Sequence, residues 1–338
     1  MAAMTEPTAS PADTTRAGPA QSRRGGLARW AFGIFLLAAV IGAVLHFGDI
    51  EEFATLARSA KPEWMLLALL AQAGTYVAAG AIWRAALKRA GHPQPLASLA
   101  ALGLVKLFAD QALPIGGVSG VIVLMRGLAR RDIPPRITMA ALLVDMVTYY
   151  GAYLAVVLVA VAILIVNREA NAIILVGAAV FAIMVVAVPG AVLWLRRLGR
   201  LPLPAWSRRF PRTVSLVKSL VDAPSDLLRD PGLIARVAAL QVVIFLLDAL
   251  TLWLSFQALG SAPPLWVSFV AFVIASAAAT ISVIPLGLGS FEAASVMVLN
   301  LLGVSLGRGL TATLLLRVLT FWLPMIPGLI LTRRELRD

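Results

Sequence analysis

The sequence has no cysteine, only two histidines and few charged residues for its length. The absence of cysteine excludes disulfides, thiolate catalysis and cysteine-ligated metals. His46 and His92 lie far apart in the chain, which disfavours a zinc site of the usual kind. Asp, Glu, Lys and Arg make up 14% of the 338 residues, whereas soluble domains contain about 25%. We therefore expect no metal, no other cofactor and no soluble catalytic domain.

Long apolar segments dominate the chain instead, and 60% of its residues are hydrophobic. A helix needs about 20 apolar residues to cross the hydrocarbon core of a bilayer. This pattern predicts an all-α polytopic membrane protein with about six full transmembrane helices. The six apolar segments that meet or approach the required length are 30–47, 64–83, 137–166, 171–195, 233–258 and 309–331.

The net charge of +12 follows the predicted loops rather than a nucleic-acid-binding face. Most of the 29 Lys and Arg residues fall in short loops on one side, if the N-terminus is cytoplasmic. We therefore expect a multi-pass protein of the inner (cytoplasmic) membrane, with both termini cytoplasmic and no nucleic-acid partner. Residues 1–28 are predicted to be a disordered tail before an uncleaved signal anchor, and 196–232 a basic interfacial connector.

Two further apolar regions are interrupted, 97–125 at "LPIGGVSG" and 266–303 at "IPLGLGSFE". We expect each to form a re-entrant hairpin that enters the membrane and returns. Irregular backbone survives at membrane depth only inside protein or beside a polar cavity. The free N–H groups at the start of the second helix of each hairpin would favour an anion. The predicted break residues are Pro114, Gly116, Gly117, Ser119, Pro285, Gly287 and Gly289.

The two interrupted regions belong to an internal repeat, with one half at 62–166 and the other at 233–331. Under the predicted topology the two hairpins enter from opposite sides of the membrane. Inverted repeats with broken helices are typical of transporters, with the site near the midplane between the repeats. In the same order and at the same spacing, Arg136, Asp145 and Thr148 correspond to Arg308, Arg317 and Thr320.

Two charged residues are predicted near the middle of the membrane. Asp145 and Arg317 lie about nine residues into their helices, or about 13 Å at 1.5 Å per residue. A charge at this depth costs at least about 3 kcal/mol on insertion scales, so each side chain needs a partner or a cavity. They either contact substrate or protons, or pair with each other to hold the two halves together. The sequence leaves both alternatives open.

Other charged residues have a local alternative to a functional role. Glu292 stands three residues after Gly289 and fits a capping box, but we favour a proton-coupling or headgroup-sensing carboxylate. Asp248 either pairs with Arg317 or titrates. Lys106 and Asp110 lie four residues apart on one helical face, where they can neutralise each other.

Arg126 follows the first hairpin. It either binds a phosphate from the cytoplasmic side or acts as an ordinary positively charged anchor.

The hairpin segments resemble the lysylphosphatidylglycerol synthase transmembrane family, also called the flippase-like domain family. The resemblance rests on "LPIGGVSGVIVLMRGL", "AALLVDMV", "IPLGLGSFEAA" and "TLLLRVLTFWLP", and it spans about residues 30–335. The first half departs from the family pattern. Family members often have an acid after the glycine pair, where Ser119 and Gly120 stand, and an Arg beside the helix acid, where Met146 follows Asp145.

The resemblance implies a lipid-handling protein. In longer family members this domain moves an aminoacylated phospholipid between leaflets, and a separate soluble domain synthesises that lipid. The present sequence shows no such soluble domain, so we expect a transporter and not an enzyme. Its expected substrate is a membrane lipid with an anionic or phosphate-containing headgroup.

On this hypothesis Arg317 and Arg126 neutralise the phosphate, while Glu292, Asp145 and Asp248 balance charge or carry protons. A secondary transporter of a small solute or ion with the same architecture is the alternative. An intramembrane lipid-modifying enzyme is disfavoured, because the sequence has no histidine cluster, nucleophile elbow or run of metal ligands. The sequence leaves the identity of the lipid and the oligomeric state open.

Overall fold

The computed structural model of the protein describes residues 60–112, 118–170, 172–198, 224–261, 263–282 and 284–337. All regular secondary structure within these ranges is helical, as the sequence predicts. Five of the six predicted membrane spans are present as long apolar helices. The sixth, 30–47, lies outside the described residues, as do His46, the predicted tail and residues 199–223 of the predicted connector.

We number the helices in chain order. They are α1 (Pro62–Arg89), α2 (Leu96–Ala112), α3 (Val118–Ala129), α4 (Pro135–Val166), α5 (Ala172–Leu198), α6 (Asp226–Arg229), α7 (Pro231–Ala258), α8 (Leu265–Ile281), α9 (Ser290–Leu301), α10 (Leu306–Arg317) and α11 (Leu323–Arg337). A 3₁₀ turn, Pro285–Gly287, precedes α9, and a π-helical turn, Val318–Trp322, joins α10 to α11.

Proline and glycine mark the ends of the long helices. α1, α4 and α7 have proline in their first turn, where its missing N–H costs no hydrogen bond. The Oδ1 atom of Asp230 accepts a hydrogen bond from the Leu233 N–H at 3.0 Å and caps the start of α7. Gly260 follows the end of α7 with φ of 68°, a left-handed conformation that terminates helices.

Each interrupted apolar region forms a pair of short helices. Helices α2 and α8 each contain 17 residues, and the following helices α3 and α9 each contain 12. The second helix of each pair is too short to span a bilayer of about 30 Å at 1.5 Å per residue. The first break, with Pro114, Gly116 and Gly117, lies outside the described residues.

The second break follows the predicted Pro–Gly pattern. The chain leaves α8, turns at Pro285–Gly287 and enters α9 after Gly289. Leu286, Gly287 and Gly289 have positive φ angles of 62°, 62° and 83°. A side chain at Gly287 would also lie 2.6 Å from the Cβ atom of Ala279. Glycine is therefore required at position 287 both by the backbone conformation and by the close approach of α8.

Helices α1 and α7 pack along each other in opposite directions. At one end, the backbone N–H of Lys61 donates to the carbonyl oxygen of Ala258 at 2.9 Å. At the other end, Arg89 forms a salt bridge with Asp230. The start of α1 thus lies at the end of α7, and the end of α1 lies at the start of α7.

The two halves of the chain share helix order and lengths. α1, α2 and α3 contain 28, 17 and 12 residues, and α7, α8 and α9 contain the same numbers. The contacts between the halves also correspond. α8 packs against α4 of the first half, and α2 packs against α11 of the second half.

The outer surface of the bundle is apolar. Val166 is 80% exposed and Ile183 is 71% exposed. A surface of this kind is unfavourable in water but not in contact with lipid chains. Together with the five membrane-length helices, it makes this a multi-pass membrane protein.

We expect the substitution Asp230→Asn to lower the melting temperature of the purified protein in detergent at neutral pH. It removes the ion pair with Arg89, and the neutral amide is a weaker cap for α7. The hydrogen bond from Arg89 and then that from the Leu233 N–H lower the pKa of Asp230 below its ordinary value. Because the folded-state pKa is the lower one, this stabilisation is present above the ordinary aspartate pKa and is lost as pH falls through the lowered value.

The difference in melting temperature between wild type and variant should therefore shrink on acidification. Asp226→Asn is the matched control, because Asp226 is an exposed residue four positions earlier. An equal, pH-dependent loss in that control would contradict the assignment.

Candidate functional site

A polar cavity of about 360 Å³ lies between α1, α2, α4 and α7 and also touches the π-helical turn. Its volume is in the range of small-molecule sites. Both halves of the chain contribute to its walls. Its polar and charged lining residues are Gln72, Thr75, Tyr76, Lys106, Asp145, Tyr149, Gln241, Asp248 and Thr320. We refer to this space as the polar cavity.

Close contacts made by glycine hold α2 beside the polar cavity. A Cβ atom at Gly80 of α1 would lie 2.9 Å from the backbone nitrogen of Ala100. A Cβ atom at Gly328 of α11 would lie 2.7 Å from the Cβ atom of Phe108. By contrast, Gly103 lines the cavity, and a Cβ atom added to it would meet no atom within 4 Å. Helix α2 is thus fixed by neighbours on two sides and open toward the cavity.

An aromatic cluster supports the wall that α4 contributes. The ring of Tyr149 lies 5.6 Å from the ring of Tyr153 and 5.7 Å from that of Phe245. Tyr153 is completely buried and also contacts Phe181 at 4.5 Å. Because Asp145 lies one helical turn before Tyr149, this packing also sets the position of its carboxylate.

The carboxylate of Asp145, in the first half of the chain, is hydrogen-bonded to a side chain of the second half. Its Oδ1 atom accepts a hydrogen bond at 2.8 Å from Nε2 of Gln241, which is buried on α7. Lys106 on α2 interacts with the same carboxylate electrostatically. The predicted alternative in which Asp145 pairs with Arg317 is wrong, because Arg317 bonds to a different carboxylate.

Asp248 lies on α7 at a part of the polar cavity that is rich in uncharged polar groups. Its polar contact is the amide of Gln72 on α1. Nε2 of Gln72 donates to Oγ1 of Thr75 at 3.0 Å. Within the described residues, Oε1 of Gln72 has no hydrogen-bond partner, and the Gln72 amide is also the polar neighbour of Tyr76. Buried polar atoms normally find a partner, so this region has unused hydrogen-bonding capacity.

The predicted pair of Lys106 and Asp110 is confirmed. Nζ of Lys106 lies 3.1 Å from Oδ2 of Asp110. The other carboxylate oxygen, Oδ1, accepts from Oγ of Ser119 at 3.2 Å and from the backbone N–H of Gly120 at 2.7 Å. Asp110 therefore joins α2 to the start of α3, besides neutralising the lysine.

In both hairpins a carboxylate of the protein bonds to the start of the second helix. In the first, Asp110 on α2 supplies the acid that is absent at Ser119 and Gly120. In the second, Oε2 of Glu292 accepts from the backbone N–H of Gly289 at 2.7 Å. The expectation that the second break offers free N–H groups to an external anion therefore fails at Gly289. At the start of α3, the N–H of Gly120 is likewise already bonded.

Glu292 and Arg317 form a second cluster, outside the lining of the polar cavity. Nε of Arg317 lies 2.6 Å from Oε1 of Glu292, and Nη2 donates to the Gly287 carbonyl at 3.2 Å. The guanidinium also lies 4.3 Å from the ring centre of Phe291. The other carboxylate oxygen of Glu292 accepts from the Gly289 N–H, which confirms the capping interpretation. Arg317 already has an anionic partner and is not poised to neutralise a phosphate in this conformation.

The charges of the polar cavity are mainly acidic. Among the described lining residues, Lys106 is the cation, and Asp145 and Asp248 are the carboxylates. Lys106 is also paired with Asp110. Arg126 is exposed and does not line the cavity. The structure thus separates the predicted charged residues into three sets. Asp145, Asp248 and Lys106 with its partner Asp110 lie at the cavity, Glu292 and Arg317 pair at the second hairpin, and Arg126 lies at the surface.

Sequence reasoning missed the two amides that contact the carboxylates, Gln72 and Gln241. Their signal is present in the sequence, because each is a polar residue inside a long apolar span. Such residues usually face the interior of a helical bundle and hydrogen-bond to another helix.

We expect Arg317→Ala to destabilise the protein by about 3–5 kcal/mol, the usual cost of leaving one member of a buried ion pair unpaired. The side chains of Arg317 and Glu292 are only 14% and 13% exposed. The double variant Glu292→Gln/Arg317→Met should be more stable than Arg317→Ala, because no charge remains unpaired. Thermal unfolding in detergent measures both. A double variant that is less stable than Arg317→Ala would argue against an ion pair with this role.

We also expect Gly120→Ala to destabilise the first hairpin by about 1–3 kcal/mol, the typical cost of overpacking. Its added methyl group would collide with the carboxylate of Asp110. Gly177→Ala is the matched control, because Gly177 lies in α5, where an added Cβ atom would meet no atom within 4 Å. Thermal unfolding should show a loss in the first variant and none in the second. Equal stability of the two variants would contradict the close contact.

Most of this chain matches the model of a known protein family. The family model described as the Lysylphosphatidylglycerol synthase TM region matches residues 30–328. The match includes both hairpins and every residue that lines the polar cavity. A comparison with curated proteins gives no match. With this family model covering well over half of its length, the chain belongs to the lysylphosphatidylglycerol synthase transmembrane family.

Proposed function

We propose that the protein is a lipid transporter, and not an enzyme, in which a lipid headgroup passes through the polar cavity while the acyl chains stay in the bilayer. Membership of a membrane family named for a phospholipid synthase supports a lipid-related role. The observation that carries the proposal is the polar cavity itself. It lies between antiparallel helices of two similar halves, inside a bundle whose outer surface is apolar.

The geometry of the hairpins supports an inverted repeat. α2 follows the end of α1 after a short loop, and α8 follows the end of α7 in the same way. Because α1 and α7 are antiparallel, the two hairpins begin at opposite ends of the bundle. Nε of Arg131 donates to Oγ of Ser98 at 3.0 Å, which ties the chain after α3 to the start of α2, as expected for a hairpin that returns. Inverted hairpins of this kind are characteristic of transporters with a midplane site.

The headgroup contacts on this proposal differ from those that the sequence favours. Arg317 is occupied by Glu292, and Arg126 is exposed outside the polar cavity. Lys106 is the cation in the described lining, and its partner Asp110 holds it at the cavity wall. We therefore assign the contact with a phosphate oxygen to Lys106, because it faces the cavity and its ammonium group has three N–H donors, so it can bind a phosphate oxygen while it stays bonded to Asp110. The amide of Gln241 would contribute a hydrogen-bond donor.

The distribution of basic residues indicates an orientation in the membrane. The basic residues Arg84, Lys88 and Arg89 lie at the end of α1, the end at which the first hairpin begins. By the positive-inside rule this end faces the cytoplasm. The C-terminal part of α11 also carries basic residues, and we therefore propose that the C-terminus lies on the same side. The membrane would be the cytoplasmic membrane.

A secondary transporter of a small solute or cation is the second candidate. The two carboxylates in the cavity favour it, because they are suited to a positively charged ligand. The two candidates differ in what crosses the membrane. Movement of a labelled lipid headgroup supports the first candidate, whereas uptake of a water-soluble solute without lipid movement supports the second.

We expect Gly103→Leu to slow lipid movement by about tenfold or more, equivalent to about 1.4 kcal/mol in the barrier. Gly103 faces the polar cavity and has open space where a Cβ atom would lie, so a larger side chain occupies cavity volume without a backbone clash. The measurement uses proteoliposomes with fluorescently labelled phosphatidylglycerol or phosphatidylethanolamine. Reduction of the outer-leaflet label by dithionite reports movement between leaflets.

The matched control is Gly151→Leu. Gly151 is an exposed residue of α4 that does not line the cavity, and a Cβ atom added to it would also meet no atom within 4 Å. This control should keep the wild-type rate. Unchanged rates for Gly103→Leu, or an equal loss in both variants, would count against passage of the headgroup through the cavity.

A further inference from the structure

We propose that Asp248 is a proton-binding residue that couples the polar cavity to the transmembrane proton gradient, while Asp145 stays ionised. The coupling part of this proposal rests on the transport function proposed above. The protonation of Asp248 does not, because it concerns the protein alone. The proton reaches one carboxylate oxygen of Asp248 from one side of the membrane. It leaves the same oxygen toward the other side.

The first supporting observation is the balance of charges in the polar cavity. Asp145 and Asp248 line the same cavity, and the side chain of Tyr149 interacts electrostatically with both. Lys106 supplies one positive charge, but Asp110 already binds its ammonium group at 3.1 Å. Two ionised carboxylates in a low-dielectric cavity are costly unless positive charge neutralises them. At least one additional positive charge is therefore favourable, and a proton is the smallest that the cavity can accept.

The surroundings of the two carboxylates differ, and this decides which one holds the proton. Asp145 accepts a hydrogen bond from Gln241 at 2.8 Å and interacts electrostatically with Lys106. Both contacts stabilise an ionised carboxylate. The polar contact of Asp248 is the neutral amide of Gln72. Asp145 is thus the better anion, and Asp248 is the better site for a proton.

A second, independent observation comes from the hydrogen bonds around Asp248. Gln72 is 4% exposed, and its Oε1 atom has no hydrogen-bond donor among the described residues. A carboxylate offers only acceptors, whereas a protonated carboxylic acid adds one O–H donor. Protonation of Asp248 therefore supplies a donor in the part of the cavity where an acceptor lacks one.

Among the residues that the structure describes, the elements packed against α7 bring few other ionisable groups to Asp248. α1 contributes Tyr76, α4 contributes Asp145 and Tyr149, and α2 contributes Lys106 across the cavity. α8 contains no Asp, Glu, Lys, Arg or His.

The other described helices that pack closely against α7 are α10 and α6. On α10, Arg317 is bonded to Glu292, and Arg308 lies near the opposite end of that helix. The charged residues of α6, Asp226 and Arg229, precede α7 and lie close to its start, far along the helix from Asp248. Among the described residues, the protonation of Asp248 is thus influenced mainly by Asp145, Lys106 and the two tyrosines.

Infrared difference spectroscopy on the full-length protein in detergent tests the protonation. A pH step should produce a change in the carbonyl stretching band of a protonated carboxylic acid. Asp248→Asn should lose this change. Asp145→Asn should keep it but show it at lower pH, because the proton resides on Asp248 and loss of the neighbouring negative charge favours ionisation of Asp248. Asp226→Asn is the control for carboxylates outside the cavity and should match the wild type.

Three infrared outcomes would overturn the assignment. The first is a band change that persists unaltered in Asp248→Asn. The second is a change that is lost in Asp145→Asn but retained in Asp248→Asn. The third is the absence of any carboxylic acid band change. A spectral change on adding Na⁺ at constant pH would then make the cation sodium rather than a proton.

The coupling is tested in proteoliposomes with labelled phosphatidylglycerol and an imposed pH gradient. In the wild type, the rate of lipid movement should depend on the direction of the gradient, and in Asp248→Asn this dependence should be lost. A wild-type rate that ignores the gradient overturns the coupling alone. No lipid movement under any gradient overturns the transport function and with it the coupling, while the infrared result still decides whether Asp248 holds the proton.

Discussion

A polar group inside a membrane protein must find its partner within the protein, because lipid chains offer none. Both helix breaks meet this requirement in the same way. The N–H groups of Gly120 and Gly289 bond to carboxylates, and each carboxylate also binds a cation. The start of α3 and the second break are thus each stabilised by an internal ion pair. The first pair comes from α2 itself, and the second connects α9 to α10.

The two ion pairs have different consequences for the site. Arg317 also bonds to the Gly287 carbonyl and contacts Phe291, so its charge is used in holding the second hairpin together. Lys106 instead lines the polar cavity while it remains bonded to Asp110. Equivalent structural needs in the two halves therefore leave an asymmetric site. The first half supplies the cation of the lining, and α7 of the second half supplies Gln241 and Asp248.

Much of the fold follows from the sequence, because it depends on short-range features. The lengths of the apolar runs predict four of the five described spans to within three residues at each end, while α1 extends six residues beyond its predicted end, and "IPLGLGSFE" predicts the second break. The pairing of Lys106 with Asp110 is also local, since residues four apart share one face of a helix. The cap at Gly289 is local for the same reason, because Glu292 is three residues away. In each case the chain itself brings the partners together.

The sequence by itself determined the class of the protein, the position of its helices and the contacts made within a turn or two of helix. Only the tertiary structure decided that Asp145 bonds to Gln241, 96 residues away, and that Arg317 bonds to Glu292. The physical reason is that the long spans are apolar on nearly all faces, so their sequences carry little information about how each helix is rotated toward its neighbours. Packing between helices sets that rotation, and with it which polar side chains meet at the polar cavity.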